Sequence, residues 1–126
     1  MFRLMPLLLA IAFLCSASVA FAKRSPPKDV APIRSGELEL RVPHGQMGCI
    51  EAWDTSSKQL VWRRQIYAVR YDVELERDVQ DVFIEAIELQ KSKLLVKNER
   101  GSAYELDLDS LQVTPVKGPL VEGKKR

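Results

Sequence analysis

The sequence predicts a small all-β domain built from antiparallel hairpins. Apolar residues alternate with polar ones over most of residues 36–117, the period of a half-buried strand. Clusters of Gly, Asp, Asn and Ser punctuate these runs at short intervals, as turns between short strands require. The chain has 126 residues, enough for one domain and not two.

A targeting segment precedes that domain. Arg3 supplies a positive start, residues 4–14 form an apolar run broken only by Pro6, and Ala20 and Ala22 place small residues where a signal peptidase reads them. Cleavage after Ala22 is expected, with cleavage after Ser18-Val19-Ala20 as the alternative. A retained anchor needs about 20 apolar residues, a length this run barely reaches before it ends in small residues. Cys15 follows Leu14 and has Ala12 three places before it. That is not the pattern of a lipidated cysteine, so Cys15 reads as part of the apolar run. The expected organisation is a signal peptide over residues 1–22, a Pro-rich lead-in over 23–35, the β domain over 36–117 and a flexible tail over 118–126.

The elements follow in order. Pro26, Pro27 and Pro32 keep the lead-in extended, and Lys23, Arg24 and Lys28 solvate it. Leu38, Leu40 and Val42 alternate with Glu37, Glu39 and Arg41 as the first strand. Residues 43–48 turn, residues 49–53 form a strand, and Asp54, Thr55, Ser56 and Ser57 turn again. Residues 60–71 read as one long strand. Its apolar parity changes from even (Leu60, Trp62) to odd (Tyr67, Val69, Tyr71), which predicts a bulge near residues 63–65.

Residues 72–81 fit a helical face through Leu75, Val79 and Val82, with Asp72 as its cap, and fit a strand nearly as well; the reading adopted is one short helix or turn. Strands are expected over 82–89, from 94 to 96, over 103–108 and over 111–116, with turns at 98–101 and 109–110. Tyr104, Leu106 and Leu108 share one face. Gly118, Pro119, Gly123 and three final charges predict a frayed tail.

Composition narrows the function. Without Arg3 the remainder carries 18 basic and 17 acidic residues, a net charge of +1. That balance lacks the concentrated positive charge that nucleic acid needs, and no membrane association is expected once the signal is removed. One cysteine then remains, so no internal disulfide staples the domain. Cys49 reads as a small buried hydrophobe, with an intermolecular disulfide or reactive thiol as the alternative. His44, the single histidine, reads as an exposed turn residue. No nucleophile signature surrounds it or Cys49, and a Cys49–His44 pair falls short of the four ligands of a structural zinc site. The chain is read as a non-enzyme with no cofactor.

Two clusters remain as candidate sites. Asp72, Glu74, Glu76, Asp78 and Asp81 fall within ten residues, relieved by Arg77. Carboxylate oxygens in a loop suit calcium, but the spacing lacks the order of a calcium loop. The run also fits a solvated face or a docking segment for a basic partner. Arg63, Arg64 and Tyr67 lie beside Trp62, a mixture found at interfaces. The same mixture is found where arginine stems cover aromatic rings within a sheet, and that reading is preferred.

A repeat runs through the domain. Gly48, Asp54, Ser57, Gln59 and Leu60 correspond to Gly101, Asp107, Ser110, Gln112 and Val113, 53 residues later. Multi-stranded repeats of this period suggest propeller blades, although hairpin turns favour Gly, Asp and Ser in any case. Residues 52–62 resemble the tryptophan-docking motif of quinoprotein-type (PQQ-like) β-propeller blades. Ala52, Asp54 and Trp62 match it, Ser57 stands where the family has Thr, and Lys58 where it has Gly. The resemblance implies structural roles: Trp62 stacks on a neighbouring blade, and Asp54 and Ser57 bond within the turn. In the second copy Glu105 and Pro115 replace the Ala and the Trp. The expected fold is therefore a small antiparallel sheet of blade-like hairpins. Propellers close with several four-stranded blades and this chain holds about two, so the family's central cofactor channel is not expected.

The expected function is that of an exported, non-enzymatic protein-binding or assembly module, in a periplasm or outside the cell. It would present a sheet edge to an unknown protein partner or to a second copy of itself. The alternative is a small-ligand or cation-binding protein using residues 72–81.

Overall fold

The computed structural model describes residues 24–123; the expected signal segment lies outside them. Its strands are β1 (Ile33–Ser35), β2 (Leu38–Arg41), β3 (Cys49–Asp54), β4 (Leu60–Gln65), β5 (Ala68–Val69), β6 (Ile84–Gln90), β7 (Lys93–Asn98), β8 (Ala103–Asp107), β9 (Val113–Lys117) and β10 (Val121–Glu122). Two four-stranded antiparallel meanders result, β1-β2-β3-β4 and β6-β7-β8-β9, and neither closes into a barrel. The all-β expectation holds. The helical part of the described chain is one 3-10 turn at Asp78–Gln80.

Register explains why each sheet is apolar on one face only. Residues directly opposite in an antiparallel pair share a face. In the first sheet Leu40, Ala52 and Trp62 align on one face, and Arg41, Glu51 and Arg63 on the other. In the second, Leu89, Leu94, Leu106 and Val113 align on one face, and Glu88, Leu95, Glu105 and Thr114 on the other. The apolar faces meet in a single core of Leu40, Ile50 and Ala52 from the first sheet and Ile84, Leu94, Val96, Tyr104 and Leu106 from the second. Each sheet thus buries the other's apolar face and leaves a polar face to water. Tyr67 and Val82, from the segments between the sheets, complete the core. Tyr67 stacks on Tyr104 with ring centroids 5.3 Å apart, and its hydroxyl donates to the Val82 carbonyl.

Three expectations change. The parity switch in residues 60–71 is not a bulge at 63–65. It marks the chain leaving the first sheet after Gln65 and entering a different pairing at β5. The bulge of this sheet lies opposite the β3 step from Ala52 to Trp53, where β4 carries Val61 as an extra residue.

The lead-in is not wholly unpaired. Its last residues form β1, with Ile33 opposite Leu40. Arg24 is not solvated but pinned: it ion-pairs with Glu99, donates to the Asp81 carbonyl and lies over the Phe83 ring, 4.7 Å from its centroid.

The tail is ordered through Gly123. Val121 and Glu122 pair in parallel with Ala68 and Val69, through Ala68 N–H to the Leu120 carbonyl (2.9 Å) and Arg70 N–H to the Glu122 carbonyl (2.7 Å). The Glu122 side chain is buried and its Oε1 accepts from Asn98 Nδ2 (3.1 Å) and the Ser102 hydroxyl, while the Tyr104 hydroxyl beside it donates to the Pro119 carbonyl. A buried carboxyl group costs free energy unless hydrogen bonds answer it. The reading of a flexible tail missed this because its side-chain partners lie 20 to 24 residues upstream and its strand partners 53.

Candidate functional site

A groove of about 470 Å³ lies beside the segment that leads from β5 to β6. Arg70, Tyr71, Asp72, Val73, Leu75, Val79, Gln80, Arg100 and Gly123 line it. β5 and β10 bring Arg70 and Gly123 together, and the β7–β8 turn supplies Arg100. Along its rim Val73 is 91% exposed, Leu75 58% and Val79 51%. Clustered exposed aliphatic side chains mark interaction surfaces, whereas single ones do not.

The 71–80 segment has little regular structure, so side chains organise it. Gln80 is its hub. Its Oε1 accepts the Asp72 N–H at 2.5 Å, and its Nε2 donates towards the carbonyls of Asp72 (3.0 Å), Glu76 (3.0 Å) and Leu75 (3.3 Å). The Tyr71 hydroxyl donates to Asp81 Oδ1 at 2.6 Å, and the Arg77 guanidinium lies 4.4 Å from the Tyr71 ring centroid. Burial, and then the bond to Asp81, push the Tyr71 hydroxyl above the ordinary phenol range. A loop tied at its base in this way keeps Val73, Leu75 and Val79 turned outward without a strand to hold them.

The acidic run serves this scaffold rather than a single point in space. Asp72 Oδ1 accepts the Glu74 N–H, Asp78 Oδ1 accepts the Val79 N–H, and Asp81 holds Tyr71. Among the described residues no group of three or more His, Cys, Asp and Glu side chains converges to hold a metal ion.

The arginine–tyrosine cluster is engaged internally. Arg63 donates through Nε (2.8 Å) and Nη2 (2.5 Å) to Glu51 Oε2. Arg64 Nε donates to the Leu111 carbonyl at 2.9 Å, tying β4 to the β8–β9 turn. Tyr67 is 2% exposed, so it meets no partner at the surface. Arg63 stays on the outer face of the sheet, paired to Glu51, while Tyr67 turns into the core.

The residues of the blade motif lie in and beside one turn. Asp54 Oδ1 accepts the N–H groups of Ser56 and Ser57, both at 2.8 Å. Those bonds, with Ser57 foremost, hold the Asp54 carboxyl below its ordinary range. Ala52 is buried, and Trp62 packs half-buried against the core. Lys58, where the motif has Gly, holds a φ of 57°.

His44 departs from its expected exposure. It is half-buried, and its ring meets Phe83 edge-on at 5.5 Å. Cys49 is buried as expected, and burial pushes its thiol above the ordinary range.

Sequence reasoning missed Arg70, Arg100 and Gln80. Each stands alone in the sequence, and only the fold brings them to one groove. The exposed aliphatic residues within the acidic run were the available signal, since a purely solvated face has no use for Val73, Leu75 and Val79. Comparison with known protein families and with curated proteins finds no match to the chain. Among the described residues no helix is long and apolar enough to cross a membrane.

Proposed function

We propose that the chain is an exported, non-enzymatic binding module, and that its docking surface is the groove beside residues 71–80. The single observation that carries this reading is the pairing of three outward aliphatic side chains with two arginines in one groove. Neither Arg70 nor Arg100 forms an ion pair among the described residues. Such a wall suits an extended segment of a partner protein that carries aliphatic side chains and carboxylates. The aliphatic groups would cover Val73, Leu75 and Val79, and the carboxylates would meet the guanidinium groups. The resemblance to blade motifs supports a structural role for Asp54, Ser57 and Trp62 behind this surface, not a part in binding.

The test is fluorescence polarisation with a labelled peptide alternating Val or Leu with Glu. The Leu75→Asp variant and the Arg70→Glu, Arg100→Glu double variant are each expected to weaken binding at least about tenfold, the equivalent of ~1.4 kcal/mol, with an unchanged melting temperature. Equal affinity across parent and variants would remove the groove from the function. A fatty acid that binds in place of the peptide would move the reading to a small amphiphilic ligand, whose pockets span roughly 300–1,000 Å³.

A further inference from the structure

Residues 24–32 form a strap that touches the domain without joining its sheets. The strap enters no strand, and none of its residues is fully buried. Pro26, Pro27 and Pro32 lack backbone donors and stiffen it. A space of about 360 Å³ is bounded by the strap on one side and by Phe83, Ile84, Glu85 and Glu99 on the other. Two side-chain ties hold the strap. Arg24 is gripped at its start, and His44 Nε2 donates to the Lys28 carbonyl at 2.8 Å.

The receptor for Arg24 is a built site. The Phe83 N–H donates to Glu99 Oε1 at 2.8 Å, and the Glu99 N–H donates to the Phe83 carbonyl at 3.0 Å. These reciprocal bonds join the start of β6 to the β7–β8 turn. Arg24 Nη2 pairs with the Glu99 carboxylate, Nη1 donates to the Asp81 carbonyl, and the guanidinium lies 4.7 Å from the Phe83 ring centroid. A carboxylate, a carbonyl and an aromatic face together suit a guanidinium, which is planar, carries several donors and stacks on rings.

Both ties are imperfect in the same way. Among the described residues the buried side-chain nitrogens without a hydrogen-bond partner are Arg24 Nε and His44 Nδ1. An unanswered buried polar atom costs free energy and calls for an explanation. Docking on its own domain thus leaves one such atom at each anchor of the strap. A tethered segment gains from its tether only where the linker fits the span. At ~3.1 Å per residue, an extended run from Arg24 to Ile33 reaches roughly 28 Å. That is enough to cross to a neighbouring domain.

We propose that this cleft is a self-association site, which takes the Arg24 strap of a second copy while that copy's cleft takes the first. The occupant is specified by the site, because the strap of a second copy presents the same arginine to the same carboxylate, carbonyl and ring. Exchange of identical segments about a two-fold axis closes at a dimer and is a low-cost route to one. The cleft and the groove share no lining residue, so this assembly does not depend on the groove's role.

The test is sedimentation velocity of the purified full chain from micromolar to millimolar concentration. The parent is expected to pass from monomer to dimer. Arg24→Ala removes the anchor and keeps the receptor, whereas Glu99→Lys keeps the anchor and reverses the receptor's charge. Each variant alone is expected to dimerise at least about tenfold more weakly than the parent. An equimolar mixture of the two is expected to form a one-to-one heterodimer, because one intact anchor and one intact receptor then remain. Melting temperatures confirm that the variants fold, and Phe83→Leu replaces Glu99→Lys if that variant does not. A parent that stays monomeric throughout overturns the site. So does parent-like dimerisation of each folded variant alone, which would place the contact elsewhere in the chain. Absence of a heterodimer on mixing also overturns it, because the strap would then act only on its own domain.

Discussion

The two sheets reach the same geometry from different residues. Asp54 and Asp107 each accept N–H groups from the second and third residues after them. The Lys58 N–H returns to the Asp54 carbonyl at 2.9 Å, and the Leu111 N–H to the Asp107 carbonyl at 2.7 Å. Lys58 and Leu111 both take left-handed backbone, with φ of 57° and 62°. Even the short strands 53 positions apart, β5 and β10, are partners, with Ala68 opposite Val121 and Val69 opposite Glu122. What differs is the outer strand. β4 carries Trp62, which packs on the core, where β9 carries Pro115 on an exposed edge. A proline removes a ladder donor and blunts an edge. The comparison teaches that a turn needs one carboxylate and one left-handed residue, whereas an edge needs only to be covered or made unattractive.

The largest effect tests whether the two sheets are one unit. Ile50→Ala in the first sheet and Leu94→Ala in the second each empty a fully buried position. Each should cost about 2–5 kcal/mol, in one denaturant transition seen alike by circular dichroism and tryptophan fluorescence. Two separate transitions would break the single core into two.

The glycines sharpen the comparison next. Gly48 and Gly101 both hold positive φ, 71° and 82°. A Cβ on Gly48 would lie 2.2 Å from the Tyr67 carbonyl oxygen, whereas one on Gly101 would meet nothing within 4 Å. Gly101→Ala should therefore cost only the handedness term, about 1–2 kcal/mol, and Gly48→Ala distinctly more, as read from denaturation midpoints. Equal losses would place the demand in the turn rather than in its neighbours.

Acid titration probes the paired aspartates. Backbone N–H groups hold both carboxyls below their ordinary value of 3.8, through Ser57 and then Ser56 for Asp54, and through Ser110 and then Asp109 for Asp107. A depressed folded pKa contributes stability above the unfolded value and loses it as pH falls through the folded one. Melting temperature should drop as the pH is lowered below 3.8, less in Asp54→Asn and Asp107→Asn, and least in the double variant. A parent-like drop in both variants would place the acid sensitivity elsewhere.

The smallest effect separates the left-handed pair. Lys58 is exposed, so Lys58→Gly relieves its backbone and should stabilise by up to about 1 kcal/mol. Leu111 packs against the core, so Leu111→Gly loses burial and should not stabilise. Thermal melts of the two variants decide it.

Sequence pattern was enough for the all-β class, for most strand positions and for the turns at Asp54 and Asp107. Alternation and turn chemistry act over a few residues, and those residues are adjacent in the chain. The hairpins β2–β3, β6–β7 and β7–β8 were legible for that reason. Everything that depends on distant partners was decided only by the tertiary structure. The pairing of β5 with β10, the burial of Glu122, the pinning of Arg24 and the contact of His44 with Lys28 and Phe83 each join residues from 16 to 75 positions apart. The groove belongs to the same class. Its exposed aliphatic residues were visible in the acidic run, but Arg70 and Arg100 reach it from separate elements. The physical reason is that a strand's own alternation states which face is apolar, while what covers that face depends on chain closure over long separations.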